Sequence, residues 1–362
     1  MTYLDANASE PVRPAARAAM LAALDAGGNP SSVHGAGRAA RRALEAARAA
    51  VAAGFGARAA GVVFTSGGTE ANALAVRGLG AGRRLVIGAT EHDAVRAACP
   101  GAAVVPVDGH GVAELAALAR MLAEGPALVC LMAANNETGV LHPIAEAAAL
   151  CRAHGALLHV DAVQAAGRMA LDIGALGADS MAISGHKLGG PQGAGALILA
   201  GDPALAPLLA GGGQERGRRG GTPALPAIAG MAAALATALA EPVDLAALRD
   251  AIEAAAVAAG AVVMGAGAPR LGNTTCLALP GVRADTQVIA LDLAGFAVSA
   301  GAACSSGKVA ASHVLAAMGL GDLAGCAVRV SLPWNVAAED VRRFADAYVE
   351  MAGRLRRTGN AA

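Results

Sequence analysis

Lys187, in the stretch SGHKLGGPQGAG, is one of only two lysines in a chain whose 28 basic residues are otherwise all arginine; the other is Lys308. An arginine keeps its proton far above neutral pH, whereas a lysine in a desolvated site can lose its proton and act as a nucleophile or base. Ser184 and His186 lie beside Lys187 and offer hydrogen bonds to an anion. Further upstream, ALLHVDAVQAAG puts Asp161 at the end of an apolar run, with Gln164 three residues on. A carboxylate in such a place is costly without a cationic partner. The same aspartate could instead cap a following helix. A third stretch, VVFTSGGTEANAL, passes through Gly67, Gly68 and Thr69 from a strand-like run into a helical one. Small residues there let backbone N–H groups approach an anion at a helix N-terminus. A plain strand-to-helix turn would have the same composition.

Taken in order, an anion cradle, a carboxylate for a protonated pyridine nitrogen and a lysine able to form a Schiff base are the parts of a pyridoxal 5'-phosphate site. In this reading Gly68, Thr69, Ser184 and His186 face the phosphate, Asp161 and Gln164 face the ring, and Lys187 holds the aldehyde. Cys304 is set apart from the other five cysteines by its surroundings, SAGAACSSGK, which are small and polar. Cys99, Cys130, Cys151, Cys276 and Cys326 form no CxxC pair, so neither a disulfide framework nor a zinc site is expected. The eight histidines contain no HExxH, and no catalytic metal is expected.

Strand-like runs must carry these residues to a common place. GVVFTS, RLVIGAT, AAVVPV, ALVCLMAA, ALLHVDA, SMAISG and GALILA alternate with Ala-rich or Gly-rich stretches. This alternation predicts an α/β fold with a mainly parallel sheet covered by helices, and ligands bind beyond the carboxyl ends of such strands. From about residue 250 the order changes to RDAIEAAAVAAG, NTTCLALP, TQVIALDLAG, AVRVSL and AEDVRRFADAYVEM, which predicts a smaller α+β domain. The expected division is 13–250 for a large cofactor-binding domain, and 1–12 with 251–362 for a small domain carrying the Cys304 loop. Two other glycine patterns lead nowhere. GAGRAA at Gly35 follows no strand, and Gly301 to Lys308 has Val309 where a P-loop needs Ser or Thr.

Composition limits the function classes. Hydrophobic residues are 55% of the chain but aromatics only 2%, so the core must be built from Ala, Val, Leu and Ile. Formal net charge is zero without long charged runs, which argues against direct nucleic-acid or membrane-surface binding. The arginines of QERGRRGG have no interleaved aromatics, as a single-strand binder would. The opening MTYLDANASEPVRP lacks the features of a signal peptide, and no charge-free apolar run of ~20 residues suggests a membrane span. A soluble, cytoplasmic protein is expected.

Nearly end to end, through YLDANAS, NPSSVHGAGR, FTSGGTEANAL, EHDAV, NNETG, HVDAVQAAG, SGHKLGGPQGAGAL, GGGQERGRRGGT, SAGAACSSG and VRVSL, the chain resembles the cysteine desulfurases of the NifS/IscS type, class V enzymes of the fold-type I pyridoxal phosphate group. The resemblance implies that His92 of EHDAV stacks on the cofactor ring and shuttles protons, and that Asn136 and Arg329 receive the substrate carboxylate. Read without it, His92 is a loop or core histidine, Asn136 a turn residue and Arg329 a surface cation. The resemblance also implies that Thr222 reaches the phosphate of a neighbouring subunit in a homodimer with composite sites. L-cysteine would be converted to L-alanine, with sulfur passing through a persulfide on Cys304 to an acceptor such as an iron-sulfur scaffold or a thiolation enzyme. The alternatives are a selenocysteine lyase or another class V lyase or aminotransferase, and a non-catalytic sulfur-transfer scaffold. The chain departs from the family at Ser9-Glu10, where a pair of threonines is common, and at Pro333-Trp334.

Overall fold

All seven strand-like runs form one sheet. The computed structural model describes residues 1–301 and 311–359, and its central sheet runs Val62–Thr65, Gly195–Leu199, Ser180–Ser184, Leu157–Asp161, Ala127–Met132, Arg84–Gly88, Ala103–Val105 in spatial order. Neighbours from Ser180–Ser184 through Ala103–Val105 are parallel. Gly195–Leu199 runs antiparallel between Ser180–Ser184 and Val62–Thr65. The strands of Thr65, Ser184, Asp161, Met132 and Gly88 therefore all end along one edge.

The strand sequences explain their depth. Ala127–Met132, Ser180–Ser184 and Gly195–Leu199 are buried at every position, as expected for a sheet covered on both faces. Aliphatic side chains fill most of the space: Leu158, Val160, Met181, Ile183 and Ile198 join one cluster with Leu44 and Val51 of the flanking helix and Phe55 just beyond its end. In that helix, Gly35–Gly54, the buried positions Gly37, Ala40, Leu44, Ala47, Arg48, Val51 and Ala52 trace one face at helical spacing. The His34 side chain caps its start by accepting from the Gly37 N–H.

A second, antiparallel sheet runs Ser299–Ala300, Ala327–Ser331, Thr274–Ala278, Val262–Val263. Helices Ala246–Ala258, Ala284–Leu293 and Ala338–Gly359 fall where the sequence placed helical runs. Three of the chain's few aromatics are spent here: Phe296 and Phe344 meet edge to face at 5.4 Å, with Tyr348 beside them. The chain start belongs to this layer. Thr2–Tyr3 pairs with Phe296–Ala297, and Leu4 joins the core of Val330 and Phe344. The strands Thr2–Tyr3, Val262–Val263, Phe296–Ala297 and Ser299–Ala300 were not legible beforehand, because two residues carry no periodicity. Among the described residues, no helix is long and apolar enough to cross a membrane.

Gly195 lets two strand ends meet closely. A Cβ there would stand 2.5 Å from the carbonyl carbon and 2.6 Å from the Cα of Gly67, and a backbone neighbour cannot swing aside. Gly195→Ala should therefore destabilise the protein by about 1–3 kcal/mol through overpacking, read from urea unfolding. A variant as stable as the parent would show that the two segments separate freely.

Candidate active site

Along the shared strand edge lies a cavity of about 520 Å³. Gly68 and Thr69 reach it from the loop after Val62–Thr65, Asp161 and Gln164 from the end of Leu157–Asp161, and Ser184, His186 and Lys187 from the end of Ser180–Ser184. His92 and Asn136 come from the loops after the next two strands, and Arg329 from the second sheet. Of the sequence candidates, only Thr222 and Cys304 are not among its walls. Thr222 is exposed and lines an adjoining recess of about 110 Å³, whose walls Ser66 and Gly193 also line the main cavity. Cys304 lies outside the described residues.

Asp161 is the deepest charge of the site. Its Oδ1 accepts the Val163 N–H at 2.9 Å, and its Oδ2 accepts the Asn72 side-chain N–H at 2.7 Å. Because Asn72 gives its N–H to Asp161, its Oδ1 must accept, so His159 Nε2 at 2.9 Å is the donor. His159 Nδ1 is then the acceptor for the Ser180 hydroxyl at 2.8 Å. A chain of donors thus runs Ser180, His159, Asn72, Asp161, every link pointing at the carboxylate. Burial holds the His159 imidazole down at about 3, so it stays neutral. Burial also pushes Asp161 up, while the Val163 and Asn72 donors and the neighbouring His92 and Lys187 pull the other way. Asn72 and His159 escaped the sequence reading. Their signal was present in ANAL and in the two-residue spacing of His159 and Asp161, which puts both on one face of the strand.

The Lys187 amine donates to the carbonyls of Asn7 and Ala8. Gln164 is oriented from two sides: its Nε2 donates to Asn7 O at 3.0 Å, and its Oε1 accepts Arg168 Nη1 at 3.0 Å. Asn7, also missed beforehand, gathers long-range contacts to Asn136 O, Thr274 Oγ1 and Ser331 Oγ. His92 Nδ1 accepts the Ala94 N–H, which leaves the proton of the neutral ring on Nε2. His186 is held down at about 4, first by burial and then by the Lys187 charge, so it too is neutral.

Arg329 is not the surface cation that its position after an apolar run also allowed. It is 3% exposed. Its Nη2 donates to Asp5 Oδ1 at 2.7 Å and its Nη1 to Asn136 O at 3.1 Å, which leaves Nε buried without a hydrogen-bond partner. His186 Nδ1 and Asn136 Oδ1 are in the same condition. Three unpartnered polar atoms on residues that line one cavity call for a polar occupant.

These residues fit pyridoxal phosphate. The helix Gly68–Leu79 directs its N-terminus at the cavity, its first residue seated so closely that a Cβ on Gly68 would stand 2.6 Å from Val163 Cγ2. The buried carboxylate takes its direct hydrogen bonds from neutral donors and has room for a cation, and a lysine amine faces the same space. The class-V aminotransferase family profile matches residues 2–344. A cysteine desulfurase of Cereibacter sphaeroides is 43% identical over 356 residues, covering 93% of this chain and 92% of that protein. The chain belongs to the cysteine desulfurases. An IscS-like cysteine desulfurase of Mycobacterium tuberculosis is 38% identical, with 100% of this chain and 99% of that protein covered. Among solved structures, a NifS-like protein from Rickettsia africae superposes with a TM-score of 0.89 at 33% identity, covering 97% of this chain and 99% of that one. The fold is that of the fold-type I pyridoxal phosphate enzymes, as the resemblance implied, with the mainly parallel sheet that the strand alternation predicted, and the family is pyridoxal phosphate-dependent.

The neutral His159 gives this desulfurase site a pH signature. The folded chain holds the imidazole at about 3, while the unfolded chain takes up a proton near the usual ~6.5. Between these values the unfolded state binds more protons, so this contribution is fully present above ~6.5 and is lost as pH falls, at up to about 1.4 kcal/mol per pH unit. Urea unfolding between pH 7 and about 4 should show a shallower loss for His159→Asn than for the parent. Equal slopes would mean that the ring is protonated in the folded state.

Proposed function

We propose that this cavity converts L-cysteine to L-alanine and hands the sulfur to a persulfide on Cys304. The observation that carries the assignment is the meeting of Asp161, Lys187 and the Gly68 helix start at adjoining strand ends. Pyridoxal phosphate, when bound, supplies an aldehyde for amine capture and a protonated ring that accepts the electron pair of the substrate Cα–H bond. Asp161, ordered by its chain of donors, would hold the ring nitrogen, with Gln164 at a ring oxygen. The N–H groups from Gly68 and Thr69, together with Ser184 and His186, would hold the phosphate. A neutral His186 can donate one N–H there without adding charge.

Lys187 would first bind the aldehyde and then, released by the incoming amine, take the proton from the substrate Cα. The Asn7 and Ala8 carbonyls give the freed amine a place to rest. His92, with its proton on Nε2, sits in the cavity wall to move protons to and from the substrate sulfur. Arg329 and Asn136 would receive the substrate carboxylate, Arg329 through its unengaged Nε, because Nη1 and Nη2 are already occupied. A loop thiol has a pKa of ~8.5 and must lose its proton before attack. The Cys304 thiolate would then form a bond to the substrate sulfur as the Cβ–S bond breaks, its electron pair going to carbon, and the carbon skeleton, after taking protons at Cβ and Cα, would leave as alanine.

We further infer that the chain works as a homodimer in which Thr222, exposed beside the cavity, completes the phosphate site of its neighbour. The division proposed is residues 13–250 around the cofactor, and 1–12 with 251–362 carrying Cys304. Helix Ala246–Ala258 crosses that boundary and joins the second part, since Leu245 and Ile252 lie in its core. The acceptor belongs to iron-sulfur cluster or thio-cofactor assembly. The described cysteines are all free thiols, which suits a reducing cytoplasm.

Cofactor-loaded parent enzyme given L-cysteine should yield alanine and a persulfide, and Cys304→Ala and Lys187→Ala should each lose both products by a factor of about 10³ or more. Full desulfuration by Cys304→Ala would remove Cys304 from the mechanism.

A further inference from the structure

Glu137 lies in the turn after Ala127–Met132, next to the Asn136 that lines the cavity. It is 2% exposed, and the reaction outlined above makes no use of it. The turn presents it rigidly: Asn135 Oδ1 accepts the N–H groups of Glu137 and Thr138 at 2.9 Å each. Asn135 in turn donates to Thr90 O at 3.2 Å. The carboxyl therefore belongs mechanically to the large sheet.

Its oxygens meet residues that belong elsewhere. Ser312 Oγ donates to Glu137 Oε2 at 2.6 Å, and a Cβ on Gly301 would stand 2.9 Å from the same oxygen. Gly301 follows the strand Ser299–Ala300, and its N–H donates to Ala327 O at 3.3 Å. Ser312 caps His313–Ala317, its Oγ accepting the Leu315 N–H at 3.1 Å. In sequence these two residues flank the stretch that contains Cys304.

We propose that Glu137 is a positioning residue for the sulfur-transfer step: one carboxyl oxygen holds Ser312, which follows the Cys304 segment, to the sheet that holds the cofactor site, and Gly301, which precedes that segment, lies close to the same oxygen. The inference rests on Cys304 being the persulfide carrier. Glu137 touches neither substrate nor cofactor. It sets the base from which the thiol approaches the substrate sulfur, a distance on which the rate of attack depends steeply.

The surroundings make the tie pH-dependent. Burial, with the Asp93 charge adding to it, pushes Glu137 up to about 7, against the Ser312 hydroxyl, the Arg329 charge and the neighbouring His92. Cys276 also faces it, and burial together with the Glu137 charge pushes that thiol up, so Cys276 stays neutral. An ionised Glu137 accepts a charge-assisted hydrogen bond from Ser312, roughly twice as strong as the neutral one. The tie therefore tightens as pH rises through this range.

The test is single-turnover reaction of pyridoxal phosphate-loaded enzyme with L-cysteine, following substrate capture by cofactor absorbance and Cys304 persulfide by trapping. Glu137→Ala and Ser312→Ala should capture L-cysteine with affinity within about twofold of the parent, yet form persulfide about tenfold more slowly. Glu137→Gln, whose amide oxygen still accepts from Ser312, should recover most of that rate and lose the component of the parent's profile that rises through about pH 7. Three results would each overturn the proposal: persulfide formation at the parent rate in both truncations, parallel loss of capture and persulfide, or a parent-like pH profile in Glu137→Gln. Cys304→Ala in the same assay separates the two readings. If it still makes alanine at the parent rate, the carrier assignment fails and this inference with it. If it is inactive while the Glu137 variants behave like the parent, this inference alone fails.

Discussion

A buried carboxylate held at the carboxyl end of a largely buried strand is the constraint around which this site is arranged. Removed from water, Asp161 must be compensated or it will take up a proton. The neutral donors of Asn72 and Val163 orient it without cancelling its charge. Behind Asn72, His159 and Ser180 complete a line of donors whose direction is set by the one atom that cannot donate. The result is an oriented carboxylate in a low-dielectric cavity, which in the proposed function faces a protonated ring nitrogen. A solvated aspartate at the same place would be screened and would exert much less pull.

The second constraint is that the site spans two sheets. Parallel strands deliver Asp161, Lys187, His92 and the Gly68 helix start to one edge, but a substrate carboxylate needs a cation from the opposite side. In the proposed function Arg329 supplies it from the antiparallel sheet, where Asp5 and the Asn136 carbonyl already engage it. A buried ion pair of this kind contributes little net stability; its consequence here is geometric, because it holds the guanidinium between Asp5 and Asn136. The first residues of the chain stitch the halves together. Leu4 is in the core of the small sheet, Asn7 bonds to both sides, and the Glu10 N–H reaches His186 O at 2.8 Å. The departure at Glu10 and Trp334 is one unit: Glu10 accepts Arg168 and the Trp334 N–H at 2.7 Å each, and Arg13 lies over the indole at 4.8 Å.

Much of the site was readable beforehand because its residues break local rules. A lysine among arginines, an aspartate at the end of an apolar run and glycines between a strand and a helix each stand out against their neighbours. Asn72, His159 and Glu137 do not. An asparagine inside a helix and a histidine inside a strand are ordinary until their partners are known, and those partners lie 87 to 89 positions away. Glu137 is one residue of NNETG with nothing in the sequence to single it out, and its hydrogen bond from Ser312 depends on how two sheets meet.

The sequence by itself determined the order of the longer strands and helices, and that Gly68, Asp161 and Lys187 meet along one edge. Those follow from local periodicity and from the rule that parallel strands point their carboxyl ends the same way. Only the tertiary structure decided that Arg329 pairs with Asp5, that Lys187 rests on Asn7 and Ala8, and that Glu137 meets the residues flanking the Cys304 segment. Each joins residues from separate layers, and no local propensity or spacing encodes a contact whose two halves are brought together only by burying the surface between them.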